Sequence, residues 1–343
     1  MIYFSEYVSL GHPDKMADYI SQYILDRFIE QDQETKYAVE VQIKSNMVVL
    51  AGEISSKVTF SNGYIEELVR KAVRDIGYTR GYQNYWGSQN TICADELKVY
   101  TNISQQSPDI SQGLFGWGDQ GIFYGYAEYN KDTAFMPTDY AYARKLCKAL
   151  YDLPEVGLDI KTQLVMRGES ILKVIVAAPV LSNSDGEAIV RDVINKNIKG
   201  QYEVVINGTG KYVKHGPIAD CGTTGRKLVV DFYGGNCQIG GGSPWTKDGS
   251  KADLALNLYA RKLAKQAAIE NHTSVYTSLA CCIGKQDVHY CIKTVEGEII
   301  EEGLLVLSPK DLIAELRLNK PIYASMCKWG LFGEYQLDKN WEK

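Results

Sequence analysis

Residues 37–54, YAVEVQIKSNMVVLAGEI, alternate apolar and polar side chains on either side of Ser45 and Asn46, the pattern of two half-buried strands joined by a tight turn. This reading decides the fold because it recurs. Residues 161–179, KTQLVMRGESILKVIVAAP, and 274–295, SVYTSLACCIGKQDVHYCIKTV, carry the same paired alternation. Each pair is followed by an amphipathic helical pattern, at about 62–76, 186–198 and 308–318. The first of these places Ile65, Leu68, Val69, Ala72, Val73 and Ile76 on one face and stops at Gly77. Ser308, Pro309 and Asp311 open the third as a capping box with proline at the first helical position. Further helical patterns lie at about 14–30, 138–151 and 251–270. The chain is expected to be α+β: three related α/β-sandwich units, each a β-sheet with two helices on one face.

At 343 residues the chain exceeds what one core usually supports, which agrees with several packed units. No low-complexity linker separates them, so they should pack closely. No apolar run is long enough to span a bilayer, and the start MIYFSEYVSLGHPDK lacks the basic and apolar regions of a signal peptide. A cytoplasmic protein is expected, with no membrane partner. Eight cysteines without a CxxC pair are read as reduced, mostly buried thiols. With 42 Asp and Glu against 37 Lys and Arg, and no basic stripe, nothing points to nucleic acid.

Against this acidic average, residues 220–253, DCGTTGRKLVVDFYGGNCQIGGGSPWTKDGSKAD, gather Arg226, Lys227, Lys247 and Lys251 around Gly234, Gly235, Gly240, Gly241 and Gly242. Glycines let backbone amides approach a ligand, and fixed cations neutralise a polyphosphate. Ser250 to Asp253 also reads as a capping box, so Asp253 is expected to be a cap, a metal ligand, or both. A second constellation, Gly11-His12-Pro13-Asp14-Lys15, lies at the start of a helix with Ala17, Ile20, Ile24 and Phe28 inward. Pro13 and Asp14 suit any helix N-terminus. His12 and Lys15 are not explained that way, and the group could hold a phosphate with its magnesium ion. A third, Gly116-Trp117-Gly118-Asp119-Gln120-Gly121, is by itself more often a turn or bulge before a strand. The chain has no GxxxxGK[ST], HExxH or GxSxG, which excludes an ordinary P-loop and the common zinc-peptidase and hydrolase sites.

Taken in order, GHPDK at 11, AGEIS at 51, QSPDI at 106, GDQG at 118, DCGTTGRK at 220, the glycine run from 233, KDGSKAD at 247 and PIYASMCKWGLFG near the end resemble the methionine adenosyltransferase, or S-adenosylmethionine synthetase, family. The resemblance spans the whole chain. It implies three domains, at about 1–108, 109–214 and 215–343, related by pseudo-threefold symmetry and with strands that cross between them. It implies a homodimer or dimer of dimers with active sites between subunits. The reaction implied is attack of the methionine sulfur on C5′ of ATP, releasing tripolyphosphate that is hydrolysed to pyrophosphate and phosphate. A thioether has no proton to lose, so catalysis would come from alignment and from stabilising the leaving group.

Carried over residue by residue, the resemblance puts His12 at the ribose O5′. Asp14 and Asp253 would each bind one of two magnesium ions, and Glu40 would lie by a potassium ion. Lys161, Arg226, Lys227 and Lys247 would hold the polyphosphate, with Lys15 nearby. Asp119, Asp159, Tyr212 and Ile283 would line the adenosine side. Glu53, Gln106, Asp220 and Lys251 would orient methionine. Between QSPDI and GDQG only Ser111 to Trp117 remain where the family has a longer lid. Trp117 or Trp245 is therefore expected to cover part of the site.

Overall fold

The computed structural model describes residues 1–105, 116–181, 185–333 and 339–343. Its strands are β1 (Ile2–Val8), β2 (Lys36–Lys44), β3 (Met47–Ser55), β4 (Lys98–Gln105), β5 (Gly121–Ala127), β6 (Lys161–Arg167), β7 (Ser170–Ala177), β8 (Glu203–Ile206), β9 (Gly222–Thr223), β10 (Val275–Cys281), β11 (Asp287–Thr294) and β12 (Ile299–Val306). The helices are α1 (Pro13–Ile29), α2 (Asn62–Ile76), α3 (Arg80–Trp86), α4 (Thr138–Tyr151), α5 (Gly186–Asn197), α6 (Leu228–Asp231), α7 (Ala252–Asn271), α8 (Pro309–Leu316) and α9 (Tyr323–Cys327).

The three alternating stretches become the hairpins β2-β3, β6-β7 and β10-β11, each paired antiparallel. Six apolar residues of α2, Ile65, Leu68, Val69, Ala72, Val73 and Ile76, are buried, and Gly77 ends the helix at φ 118. That left-handed conformation is cheap only for glycine. Ala17, Ile20, Ile24 and Phe28 of α1 are fully buried. The described residues form three four-stranded sheets, in the orders β9-β2-β3-β4, β1-β6-β7-β8 and β5-β10-β11-β12. Pairs of helices cover them: α1 with α2, α4 with α5, and α7 with α8.

The units exchange strands in a ring. The fourth strand of each sheet comes from a different third of the chain: β9 joins β2, β1 joins β6 and β5 joins β10. β1 leads into α1, which packs on β2, and β5 leads into α4, which packs on β6. The third unit differs from the other two. β3-β4 and β7-β8 are parallel, with α2 and α3 between the first pair and α5 between the second, whereas β11-β12 is an antiparallel hairpin and α8 follows it.

Two expected caps do not form. Ser308 occupies the N-cap of α8 but makes no side-chain capping bond. At α7 the cap position falls to Lys251. Ser250 instead donates its hydroxyl to Asp248 Oδ1 at 2.6 Å, because the tight 248–250 turn satisfies it first.

Candidate active site

The N-terminus of α1 organises the site. His12 is its N-cap, with extended backbone, and Nδ1 accepts the Asp14 amide at 3.2 Å. That bond leaves the proton of the neutral ring on Nε2. Burial, assisted by the Lys161 and Lys227 charges, pushes the His12 pKa down to about 3. The ring is therefore a neutral hydrogen-bond donor at ordinary pH.

Asp14 is buried, accepting the Thr223 amide at 2.9 Å on Oδ1 and the Lys227 ammonium at 2.5 Å on Oδ2. Burial alone would raise its pKa. The Lys227 ammonium and Thr223 amide outweigh that and hold it below the ordinary carboxylate value. Arg226 Nε stands 3.7 Å from Asp14 Oδ1, with its side chain largely exposed. The approach is close because β9 runs directly over the helix start: a Cβ on Gly222 would lie 2.0 Å from the Pro13 carbonyl.

Lys161 begins β6 opposite Val8, on the exposed side. Its charge acts on both His12 and Asp159, which joins the two. Asp159 is buried, and its Oδ2 accepts the Gly216 amide at 2.9 Å. Its Oδ1 has no hydrogen-bond partner among the described residues, and burial raises its pKa. Tyr212 donates its hydroxyl to the Asp159 carbonyl at 3.1 Å. Asp220, exposed just before β9, caps its own chain through the Cys221 amide at 2.7 Å.

A neighbouring loop carries the remaining cations. Lys247 forms an ion pair with Asp253 in the first turn of α7. Gly242 crosses so near this carboxylate that a Cβ would come within 2.0 Å of Asp253 Oδ1. A side chain there would displace the Asp253 carboxylate. Glu40, on β2, accepts the Thr246 hydroxyl at 3.0 Å and the Thr224 hydroxyl on its other oxygen. Lys251 is exposed at the cap of α7, and Glu53 is exposed on β3.

The structure thus brings together His12, Asp14, Lys161, Arg226, Lys227, Asp159, Tyr212 and Asp220, with Lys247 on the adjoining loop, Asp253 at the start of α7 and Glu40 on β2. Asp119 and Ile283 lie at the end of the third sheet, on the Asp253 side, where the charges of Asp119 and Asp253 both reach the Cys281 thiol. There the Trp117 amide donates to the Lys285 carbonyl at 2.9 Å, the Trp117 carbonyl accepts the Gly284 amide at 2.7 Å, and Asp119 caps the Gln120 amide at 2.8 Å. Among the described residues no bond links them to His12. Gln106 and most of the short segment after it lie outside the described residues.

Two expectations are overturned. Lys15 does not face the cations of the site: it is buried, with Nζ 2.6 Å from Asp231 Oδ1 and 3.3 Å from Asp18 Oδ2. Burial opposes its charge, and the Asp231 carboxylate more than restores it. Neither tryptophan covers an open site, since Trp117 and Trp245 are both fully buried. The indole of Trp245 donates to Asp231 Oδ2 at 2.8 Å, and its ring lies 4.6 Å from Lys15 Nζ. Sequence reasoning missed Asp18, Gln22, Thr224, Thr246 and Asp231, all of which support the site. Spacing offered one signal, because 15, 18 and 22 share a helix face.

Known proteins resemble the chain from end to end. The family description "S-adenosylmethionine synthetase, N-terminal domain" matches residues 1–108, and the corresponding C-terminal domain matches 214–343. The S-adenosylmethionine synthases of Maricaulis maris and Methylobacterium sp. are 32% and 34% identical, each over all of this chain and 96% and 95% of their own. The chain belongs to the S-adenosylmethionine synthetase family. A solved structure, an unusual S-adenosylmethionine synthetase from Campylobacter jejuni, matches all of the chain with a TM-score of 0.89 at 30% identity, over 96% of its own length. The α+β architecture expected from the repeat is therefore that of a known S-adenosylmethionine synthetase. Membership makes the chain a methionine adenosyltransferase, forming S-adenosylmethionine from ATP and methionine. Among the described residues, no helix is long and apolar enough to cross a membrane.

Proposed function

We propose that the methionine sulfur attacks C5′ of ATP in line with departure of the tripolyphosphate, which is then hydrolysed to pyrophosphate and phosphate. The protonation state of His12 carries this reading. A neutral ring with Nε2–H free to donate suits an oxygen that gains charge as C5′–O5′ breaks, and it withdraws no proton from a nucleophile that has none. Lys161, Arg226, Lys227 and Lys247 would spread the leaving group's charge over fixed donors. The buried Asp159 carboxylate, with Tyr212 beside it, would border the adenosine side. Asp220, Lys251, Glu53 and Gln106 would hold the methionine ammonium and carboxylate.

Among the described residues no three Asp, Glu, His or Cys side chains form a metal-binding group. Magnesium characteristically uses one or two protein carboxylates together with phosphate oxygens, and Asp14 and Asp253, each beside a lysine, fit that donor set. Two bound magnesium ions would neutralise polyphosphate charge there. Glu40 with the Thr224 and Thr246 hydroxyls forms an all-oxygen cluster suited to potassium.

The separation of Asp119 and Ile283 from His12 supports a homo-oligomer in which a second copy supplies them. Mixing His12→Asn with Asp119→Asn protein, each inactive alone, should restore activity through the one wild-type site such a heterodimer contains. No recovery after subunit exchange would remove the shared site. The domain limits near 108 and 214 are proposed as divisions of the sequence, with strands exchanged across them.

The reaction is tested by incubating the protein with ATP, methionine, magnesium and potassium and identifying products by mass spectrometry. S-adenosylmethionine with pyrophosphate and phosphate is expected. ADP, or bound ATP without turnover, would overturn the proposed chemistry.

A further inference from the structure

One face of α1 carries three buried polar side chains one turn apart, Lys15, Asp18 and Gln22, each at most 2% exposed. A helix buried among apolar neighbours has no need of them, and each costs free energy unless paired. Apart from Cys327 Sγ, 3.6 Å from Lys15 Nζ, their partners outside α1 lie on the two loops that bear the cations of the site or on α6, which follows the first of them. Asp18 Oδ1 accepts the amide of Gly225, next to Arg226 and Lys227, at 2.8 Å. Gln22 Oε1 accepts the amide of Thr246, next to Lys247, at 2.9 Å. Lys15 bridges the two through Asp231, whose amide bonds the Lys227 carbonyl at 2.9 Å and whose carboxylate holds Trp245. Thr246 is held at φ 68, a left-handed conformation that a β-branched residue keeps only where its surroundings enforce it.

We propose that Lys15, Asp18 and Gln22, with Asp231 and Trp245, are positioning residues that set the distance between the Arg226-Lys227 and Lys247 cations, so that both loops meet one polyphosphate chain. This rests on the proposed role of those cations. Lys15 acts from beneath the site, as the clamp that ties the two loops to α1, and touches no substrate. Rigid spacing matters because donors preorganised for the leaving group lose most of their effect when displaced by about 1 Å.

Replacing Lys15 would leave two buried carboxylates without a cation and could unfold the protein. The test therefore uses Trp245→Phe, which keeps the ring over Lys15 but removes the bond to Asp231, and Gln22→Met, which removes only the acceptor for Thr246. Inorganic tripolyphosphate with magnesium is titrated by calorimetry, alongside steady-state kinetics and thermal melting. Both variants should melt within a few degrees of wild type, bind tripolyphosphate about tenfold more weakly or worse, and lose kcat while KM for methionine changes less than about twofold. Unchanged binding and kcat in folded variants would overturn the proposal. So would losses that merely track the unfolded fraction. Wild-type protein that binds tripolyphosphate but makes no S-adenosylmethionine would strike the proposed reaction instead, leaving the binding comparison to judge the clamp.

Discussion

Replacing His215 by Gln should make the protein less sensitive to acid, by an amount the structure sets. The imidazole is fully buried beneath the segment carrying Tyr212, edge-on to Trp86 with ring centres 5.0 Å apart. Nδ1 donates to the Val213 carbonyl at 2.7 Å, and Nε2 accepts from the Tyr82 hydroxyl at 2.5 Å. Burial pushes its pKa down to about 4, against 6.5 in an open chain. The folded protein therefore refuses a proton that the unfolded chain takes up, so stability falls as pH drops from about 6.5 to about 4. The slope is about 1.4 kcal/mol per pH unit, or roughly 2 kcal/mol between pH 6.5 and 5. Gln can accept from Tyr82 without titrating. Urea unfolding of both proteins at pH 7.5, 6.5 and 5.0 measures the effect. His12 has the same sign as His215, whereas Asp18 and Asp26, pushed up to about 7 chiefly by burial, have the opposite sign. All three are common to both proteins and cancel in the difference. His215→Gln should gain about 2 kcal/mol relative to wild type on going from pH 6.5 to 5. Parallel stability curves would refute the buried neutral histidine.

Lys161→Met should leave the melting temperature unchanged, because the side chain lies on the exposed side of β6, while kcat falls about a hundredfold; equal activity would sink its role. Asp253→Asn should abolish most magnesium-dependent turnover without loosening α7, since Asp253 makes no capping bond there; a large drop in melting temperature with activity intact would reverse that assignment. Gly222→Ala drives a Cβ into the Pro13 carbonyl at 2.0 Å and should cost about 2 kcal/mol by urea unfolding, with turnover falling as β9 shifts off Asp14. Unchanged stability would show that β9 yields freely.

What could be read from the sequence was whatever is local. The six buried residues of α2 and its glycine stop follow from spacing and from the conformation glycine tolerates, and the paired strands follow from alternation. His12 and Asp14 stood out because a helix start explains only part of their motif. The failures share a different cause. Lys15 looked like a ligand because Asp231, its partner, lies 216 positions away, and Trp245 looked like a cover because nothing nearby declares that its indole nitrogen is spoken for. The capping box at 250–253 failed to a competing bond within the same turn. β9, only two residues long, has no period to detect, yet it brings Thr223 onto Asp14.

The ring of exchanged strands makes the three units poor candidates for independent life. Cutting the chain at either domain limit would strip a sheet of an outer strand and expose a backbone edge able to recruit another chain. The first sheet waits for Gly222 and Thr223, and the second cannot close until Ile206 has been made. A growing chain therefore holds half-built sheets until well past its midpoint, with long loops to close for each. Losing residues 2–8 would damage the middle third rather than the first. An enzyme built this way should melt in a single transition, and an amino-terminal tag should be tolerated only if β1 remains free to cross.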